Sequence, residues 1–439
     1  MGKGGSINIS ARSLQITNGA ALIASTDGQG DAGNIQVQAR DSVLLDGFGR
    51  DGFNSSIVSG VGSDAVGKGG DIGITTRFLY ATNGGVLQAS TDGQGDAGNI
   101  TVEAANNVAL DGVGSNGIRS AVLTDVGRGA VGRGSNFSIT TGSLSVTNGA
   151  ALFANTSGQG NAGNINIQAR NNVLFDGRGG NSFSSGAFSD VTTDATGESG
   201  NISITTPSLS IINNAILNAR TDGRGNAGSI LIAANVVDVS AGGQIETTTS
   251  SGNKAGSITL NVSDRLTLSG PNTGLFANTK PGSSGNGGRI FIDPRTVIIQ
   301  DGAKIAVDSQ GSGIGGNINI QAGRLELRDR ATITATTASA QCGKVAKSLL
   351  AQARLKPGAM AATFASMPNL SLECYRRIAT SPPMLLPEMV AKLILRLRAS
   401  MAYSFNPNSH PSATSPPVPN LDSTALSSSI AQMSIPVED

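Results

Sequence analysis

Tryptophan is absent from this chain, histidine occurs once and cysteine twice. Aromatic residues make up 3% and charged residues 14%, the latter well below the ~25% of an ordinary soluble domain. No uninterrupted apolar run reaches the ~18 residues that a membrane-spanning helix requires. A net charge of +1 leaves no basic footprint for nucleic acid. Ala, Leu, Glu and Lys do not dominate, which removes the coiled coil, and 60 glycines in 439 residues fall short of the one-third, strictly periodic share of collagen. Residues 1–340 hold neither His nor Cys, so a Ser-His-Asp or Cys-His site is impossible within them. The length alone suggests two or three domains, but repeat architectures escape that expectation.

What the chain does contain is a repeat. TDGQGDAGNI occurs at Thr26 to Ile35 and unchanged at Thr91 to Ile100, followed by TSGQGNAGNI from Thr156 and TDGRGNAGSI from Thr221, always 65 residues apart. A finer unit lies inside. An apolar-x-apolar strand start recurs at Ile7, Ile35, Ile72, Ile100, Phe137, Ile165, Ile202, Ile230, Ile258, Ile290 and Ile318, mostly in steps of 28 and 37. The basic coil is therefore 28 residues, and alternate coils carry nine more, expected as outward loops around Phe48 to Ser56, Val113 to Ala121 and Arg178 to Gly186.

Each coil reads as three short strands between turns, for example Ile72 to Ile74, Phe78 to Ala81 and Val86 to Ala89. Period-2 pairs such as Ile35/Val37 and Leu144/Val146 place their side chains on one face of a strand. Asn18-Gly19 and Asp46-Gly47 supply turns because both residue types tolerate positive φ. One coil cannot bury its own apolar face, whereas stacked coils bury a continuous core. The fold expected is all-β, a parallel β-helix (β-solenoid), right-handed by the crossover rule. At the usual strand spacing, eleven coils make a rod of roughly 50 Å. Ser6, Asn34, Asp71, Asn99, Asn136, Asn164 and Asn201 precede the strand starts, a ladder expected to exchange hydrogen bonds between coils. A narrow core of this kind has little room for large aromatics.

Composition changes near Gln341. Residues 341–439 hold 2 of the 60 Gly but 11 of the 15 Pro, both Cys and the only His. The domain division expected is thus 1–340 for the β-helix and 341–439 for a Pro-rich, Gly-poor, largely disordered tail. Read two bases forward, codons compatible with Met389 to Arg396 and with Lys344 to Leu350 restore the Gly-Gly-Lys-Ile text of the repeat. Two readings of the tail follow: solenoid coding sequence out of frame, or a Pro-rich linker with a short helix at Pro387 to Met401. The chain begins inside a coil at Gly4-Gly5-Ser6-Ile7, without the charged, apolar and cleavage regions of a signal peptide, so none is expected.

The texts GNIxIxAxxxVxLDG, TNGAxLxAsTxGQGxAGNI and GRIFIDPRTVIIQDGAKIAVDSQGSGIGGNINIQAG resemble the large cyanobacterial exoproteins of the filamentous haemagglutinin-like or S-layer family. The resemblance covers about residues 1–340. It implies a right-handed parallel β-helix, secretion by the two-partner route through an outer-membrane β-barrel, and a role in surface adhesion or aggregation.

Catalytic, cofactor-binding and metal-binding residues are each assigned to none, and no cofactor is expected. His410 reads as a solvated loop residue, and Cys342 and Cys374 could pair. Asp46, Asp111 and Asp176 recur every 65 residues, about 9.6 Å apart by strand spacing, near the separation of inverting glycosidase carboxylates. A turn Asp before Gly is the plainer reading. Asp31 becomes Asn161 and Asn226 in later copies, which favours a structural turn over calcium. The insertions carry Phe48, Phe53, Arg119 and Phe183 on one side of the rod, where loops on a rigid scaffold commonly bind. The leading expectation is a non-enzymatic, secreted or surface-exposed adhesin-like rod with an unidentified surface ligand, carbohydrate being one candidate class. The alternatives are a β-helical polysaccharide-active enzyme, requiring one broken repeat with clustered carboxylates and a basic residue, and a non-functional gene remnant.

Overall fold

A computed structural model describes residues 2–180 and 182–337. The tail with its two readings, Cys342, Cys374 and His410 lie outside the described residues. Within them the chain forms a parallel β-solenoid of eleven coils, numbered here by the eleven strand starts given above. All eleven starts stand in one column, from Ile7 beside Ile35 to Ile290 beside Ile318.

The expected three strands per coil become two in coils 1 to 9. The first two merge into one strand of 11 to 13 residues, such as Ile72–Thr82, and a three-residue strand such as Val86–Gln88 follows. The merged strand stays hydrogen-bonded because its neighbours absorb any mismatch as a one-residue bulge. Only in coils 10 and 11 do the two halves separate, for instance as Arg289–Ile292 and Thr296–Gln300. The long strands build one sheet and the short strands a second. The third side is held by single-residue parallel bridges through Thr26, Val61, Thr91, Val126 and their successors.

Alternation explains the core. In coil 3, Ile72, Ile74, Leu79, Ala81, Leu87 and Ala89 are all 1% exposed or less. Burying an Ile or Leu contributes about 1.5–3 kcal/mol, and each coil supplies the lid for the next. Large aromatics do enter twice, against the simple expectation of a core too thin for them: Phe137 and Phe175 are fully buried in adjacent coils 5 and 6.

One glycine column makes the stacking possible. A Cβ on Gly70 would lie 1.9 Å from the carbonyl oxygen of Gly33, and one on Gly98 would lie 2.0 Å from that of Gly70. The same clash recurs at Gly200, Gly228, Gly256, Gly288 and Gly316. Backbone packs on backbone here, which is why Gly precedes the Asn of each AGN motif.

The nine extra residues of coils 2, 4 and 6 are not one loop. Between coils 1 and 2 the register offset is 28 at Ile7/Ile35, 29 at Ser13/Ser42, 35 at Ala21/Ser56, and between Gln29 and Val66 it is 37. One residue is thus a strand bulge, six form a hairpin after the long strand, and two widen the turn after the short strand.

Candidate functional site

The recurring carboxylates are turn clips. Asp46 Oδ1 accepts hydrogen bonds from Thr82 Oγ1 (2.6 Å) and Asn83 Nδ2 (2.8 Å) of the next coil. Asp111 does the same for Thr147 and Asn148, and Asp176 accepts from Asn213. Asn83, Asn148 and Asn213 have φ of 52° to 54°, so each clip holds a left-handed turn residue that Asn tolerates. The three aspartates stand two coils apart, with Thr82 and Thr147 in register between them.

The Asp-to-Asn exchange keeps a contact of the same kind. Asp31 Oδ1 accepts the Lys68 N–H at 2.9 Å, Asp96 that of Arg133 and Asn161 that of Glu198, both at 2.9 Å. The oxygen serves the next coil's N–H in each of these copies, and the charge of Asp96 additionally pairs with Arg133 Nη2 at 2.9 Å. The Asn ladder also works through backbone donors: Asn164 Oδ1 accepts the Asn201 N–H at 2.8 Å, and Asn136 Oδ1 accepts from both the backbone and the side chain of Asn164. Beside this ladder runs a shallow polar groove of about 950 Å³, lined by Gln36, Gly73, Thr101, Glu103 and Ser138 among others.

The six-residue insertions fold as small antiparallel hairpins, pinned by Phe48 with Asn54, Val113 with Arg119 and Arg178 with Ser184. They reach across the intervening coils and touch. Asn116 Nδ2 donates to the Gly52 carbonyl and to Asn54 Oδ1, both at 3.4 Å. Arg119 donates to the Gly149 carbonyl at 2.5 Å and to the carbonyl of Ser184 in the next hairpin. Its guanidinium lies 4.9, 5.4 and 5.5 Å from the ring centres of Phe153, Phe183 and Phe188. Burial pushes its pKa down to about 10. The ridge displays Phe53, Ile118 and Phe183, which are 71%, 44% and 52% exposed.

A second cluster escaped the reading of the sequence. In register on the outer side of the short-strand sheet stand Phe188, Asn218, Glu246 and Phe276, in coils 6 to 9. Beside them, Arg220 Nε lies 3.2 Å from Asp222 and 3.8 Å from Asp190, and Lys280 Nζ lies 2.6 Å from Asp222. Burial pushes the Asp190 carboxyl up to about 7 and raises Glu246 as well. Burial works against Asp222 too, but hydrogen bonding from Lys280 and the charges of Arg220 and Lys280 hold it below the usual carboxylate range. Apart from Arg220 and Asp222, which are neighbours in sequence, the partners lie 28 to 58 positions apart, so no local motif contains the cluster. Aligning the coils by their strand starts would have placed them in one patch. Among the described residues, no three His, Cys, Asp or Glu side chains are placed to share a metal ion.

No family model, curated protein or solved structure matches this chain.

Proposed function

We propose that this chain is a non-catalytic interaction rod of a cell-surface exoprotein, which mediates adhesion or aggregation. The observation that carries the reading is the hairpin ridge: three apolar tips, Phe53, Ile118 and Phe183, repeated every 65 residues on one side of a stacked scaffold. Repeated weak contacts from one rigid body gain avidity without any single strong site. The resemblance of residues 1–340 to filamentous haemagglutinin-like exoproteins adds the route: export through an outer-membrane β-barrel. The test couples the full chain to beads and scores bead clustering and attachment to cells. The double variant Phe53→Ser/Ile118→Ser, which spares the Phe183 ring against Arg119, should lower attachment at least tenfold while leaving the unfolding midpoint in place. Undiminished attachment would overturn the reading.

A polysaccharide-active enzyme is the second reading, and the cluster around Arg220 favours it, because it brings carboxylates and bases together where the repeat text departs from its pattern. Incubation with neutral and acidic polysaccharides, followed for new reducing ends or unsaturated products, decides it. Absence of any product removes this reading.

A further inference from the structure

The outer column of the short-strand sheet is mostly apolar: Ile23, Val58, Leu123, Phe153, Phe188 and Phe276 occupy it. Gln88 interrupts it once in coil 3, and Asn218 and Glu246 interrupt it in two successive coils. Two residues further along each coil, a second column forms a ladder in which Ser90, Asp125, Asn155 and Asp190 each accept the next coil's backbone N–H. Arg220 interrupts that ladder, because a guanidinium has no acceptor to offer; it resumes where Asn278 and Asp308 accept the backbone N–H groups of Asp308 and Thr336. Both departures exchange a structural contact for polar atoms that are left over. Asn218 is 3% exposed and its Oδ1 has no hydrogen-bond partner. Arg220 Nε, although near two carboxylates, makes no aligned hydrogen bond. Such buried, unsatisfied groups are unfavourable by ~1–3 kcal/mol each and call for a reason.

We propose that coils 6 to 9 carry a binding site for a neutral glycan, formed by Asn218, Arg220, Asp222 and Glu246 between the rings of Phe188 and Phe276. The ligand must donate to the Asn218 oxygen and to carboxylates, accept from Arg220, and present apolar faces at both ends. A pyranose, with hydroxyls around its edge and C–H groups on its faces, has that combination. Each ring leans back over a glycine two residues upstream: a Cβ on Gly186 would meet Phe188 Cε2 at 3.1 Å, and one on Gly274 would meet Phe276 Cζ at 2.8 Å. The two rings stand three coils apart, roughly 14 Å at the usual strand spacing, so a chain running along the rod meets both and crosses the polar pair between them. Asp190, Asp222 and Glu246 outnumber Arg220 and Lys280, which disfavours a polyuronate. Cations are poor candidates because Lys280 and Arg220 already sit against Asp222.

The proposal rests on reading the chain as a surface-binding rod, and the test separates the two. The full chain is titrated calorimetrically with cellohexaose, laminarihexaose and maltohexaose, with hexagalacturonate as the acidic contrast. At least one neutral hexamer should bind, and Asn218→Phe/Arg220→Asn should weaken it at least tenfold. That variant restores the residue types of coil 5, Phe153 and Asn155, so its unfolding midpoint should hold or rise. Glu246→Gln, nearly isosteric, should weaken the same hexamer severalfold. The site is refuted if no neutral hexamer binds, if the variants bind as tightly as the parent, or if hexagalacturonate is preferred. The hairpin double variant Phe53→Ser/Ile118→Ser, which leaves the Arg119 contacts with Phe183 and Phe188 in place, should keep full glycan affinity. Loss of bead attachment in that variant alone supports the ridge and leaves the glycan site standing on its own titration.

Discussion

Coils 1 to 6 and coils 7 to 11 share one core and one Gly column and differ in what they raise on the outside. The first six carry the 65-residue text, whose last copy runs on into coil 7, raise a hairpin on every second coil, and use polar side chains to hold neighbouring backbone, as Asp31, Asp125 and Asn164 do. The last five carry no hairpin among the described residues, turn on short pairs of the kind that coils 1, 3 and 5 also use, such as Asn213-Asn214 and Ala241-Gly242, and gather charges at Arg220, Asp222 and Lys280. A regular coil has most of its polar groups answered by the coils above and below, with the buried hydroxyls of Thr91 and Thr156 as exceptions. Where the text drifts, groups are left unanswered, and there a ligand has something to satisfy. The comparison teaches that in a solenoid the frame resides in the repeat and the specificity in its exceptions.

The largest effect should come from the frame. Gly98→Ala in the first region and Gly228→Ala in the second both drive a Cβ to about 2 Å from a carbonyl, 2.0 Å at Gly70 O and 1.9 Å at Gly200 O. Each should destabilise by ~3 kcal/mol or more in chemical denaturation, and by similar amounts. A large inequality would break the claim that the two regions share one frame.

A smaller effect, confined to the first region, is expected at Arg119. Arg119→Ala removes the clasp between the second and third hairpins and should cost ~2 kcal/mol, the order of a desolvated cation–π contact. Arg119→Lys should recover little, since an ammonium lacks the planar fork that serves the Gly149 and Ser184 carbonyls together. Recovery by Lys would show that charge alone holds the ridge.

A further effect, within the first region and at its junction with the second, is a pH dependence at the ladder. Burial pushes the carboxyls of Asp125 and Asp190 up to about 7. A raised carboxyl pKa favours the protonated form in the folded state. Its stabilisation is therefore complete below the unfolded value near 4 and is lost as pH rises through about 7. The thermal midpoint should fall between pH 5 and pH 8. Asp125→Asn keeps an acceptor for the Asn155 N–H (2.7 Å in the parent) without the charge, so it should raise the midpoint at pH 8 and change it little at pH 5. A midpoint independent of pH in the parent would show that both carboxylates remain ionised.

Much of the frame was legible because it is written as a period. The eleven starts from Ile7 to Ile318 fall in one column, and the Leu14/Ile16 type of pair fills the second half of the long strand. Strand fusion was not legible, since polar residues such as Thr75 to Arg77 look like a turn yet continue the ladder. The split of the insertion was hidden because sequence spacing reports only the total of bulge, hairpin and widened turn. Arg119 was picked out by its place in the loop, but its three ring partners lie in other coils. Asn218 and Arg220 were invisible for a related reason: a departure from a pattern shows only after each coil has been set against its neighbours.

The ladders of both sheets run from coil to coil, so their hydrogen bonds lie along the rod. Tension applied end to end loads those contacts in series, and the terminal coil yields before the interior. Coils 10 and 11, whose long strands are broken into pieces of four and five residues, should peel ahead of the uninterrupted ones. A coil that adds roughly 5 Å to the rod while folded releases roughly 90 Å of extended chain when it opens. A tethered rod of this construction would answer a sudden pull by paying out slack one coil at a time, as a mechanical fuse that resets coil by coil when the load is removed.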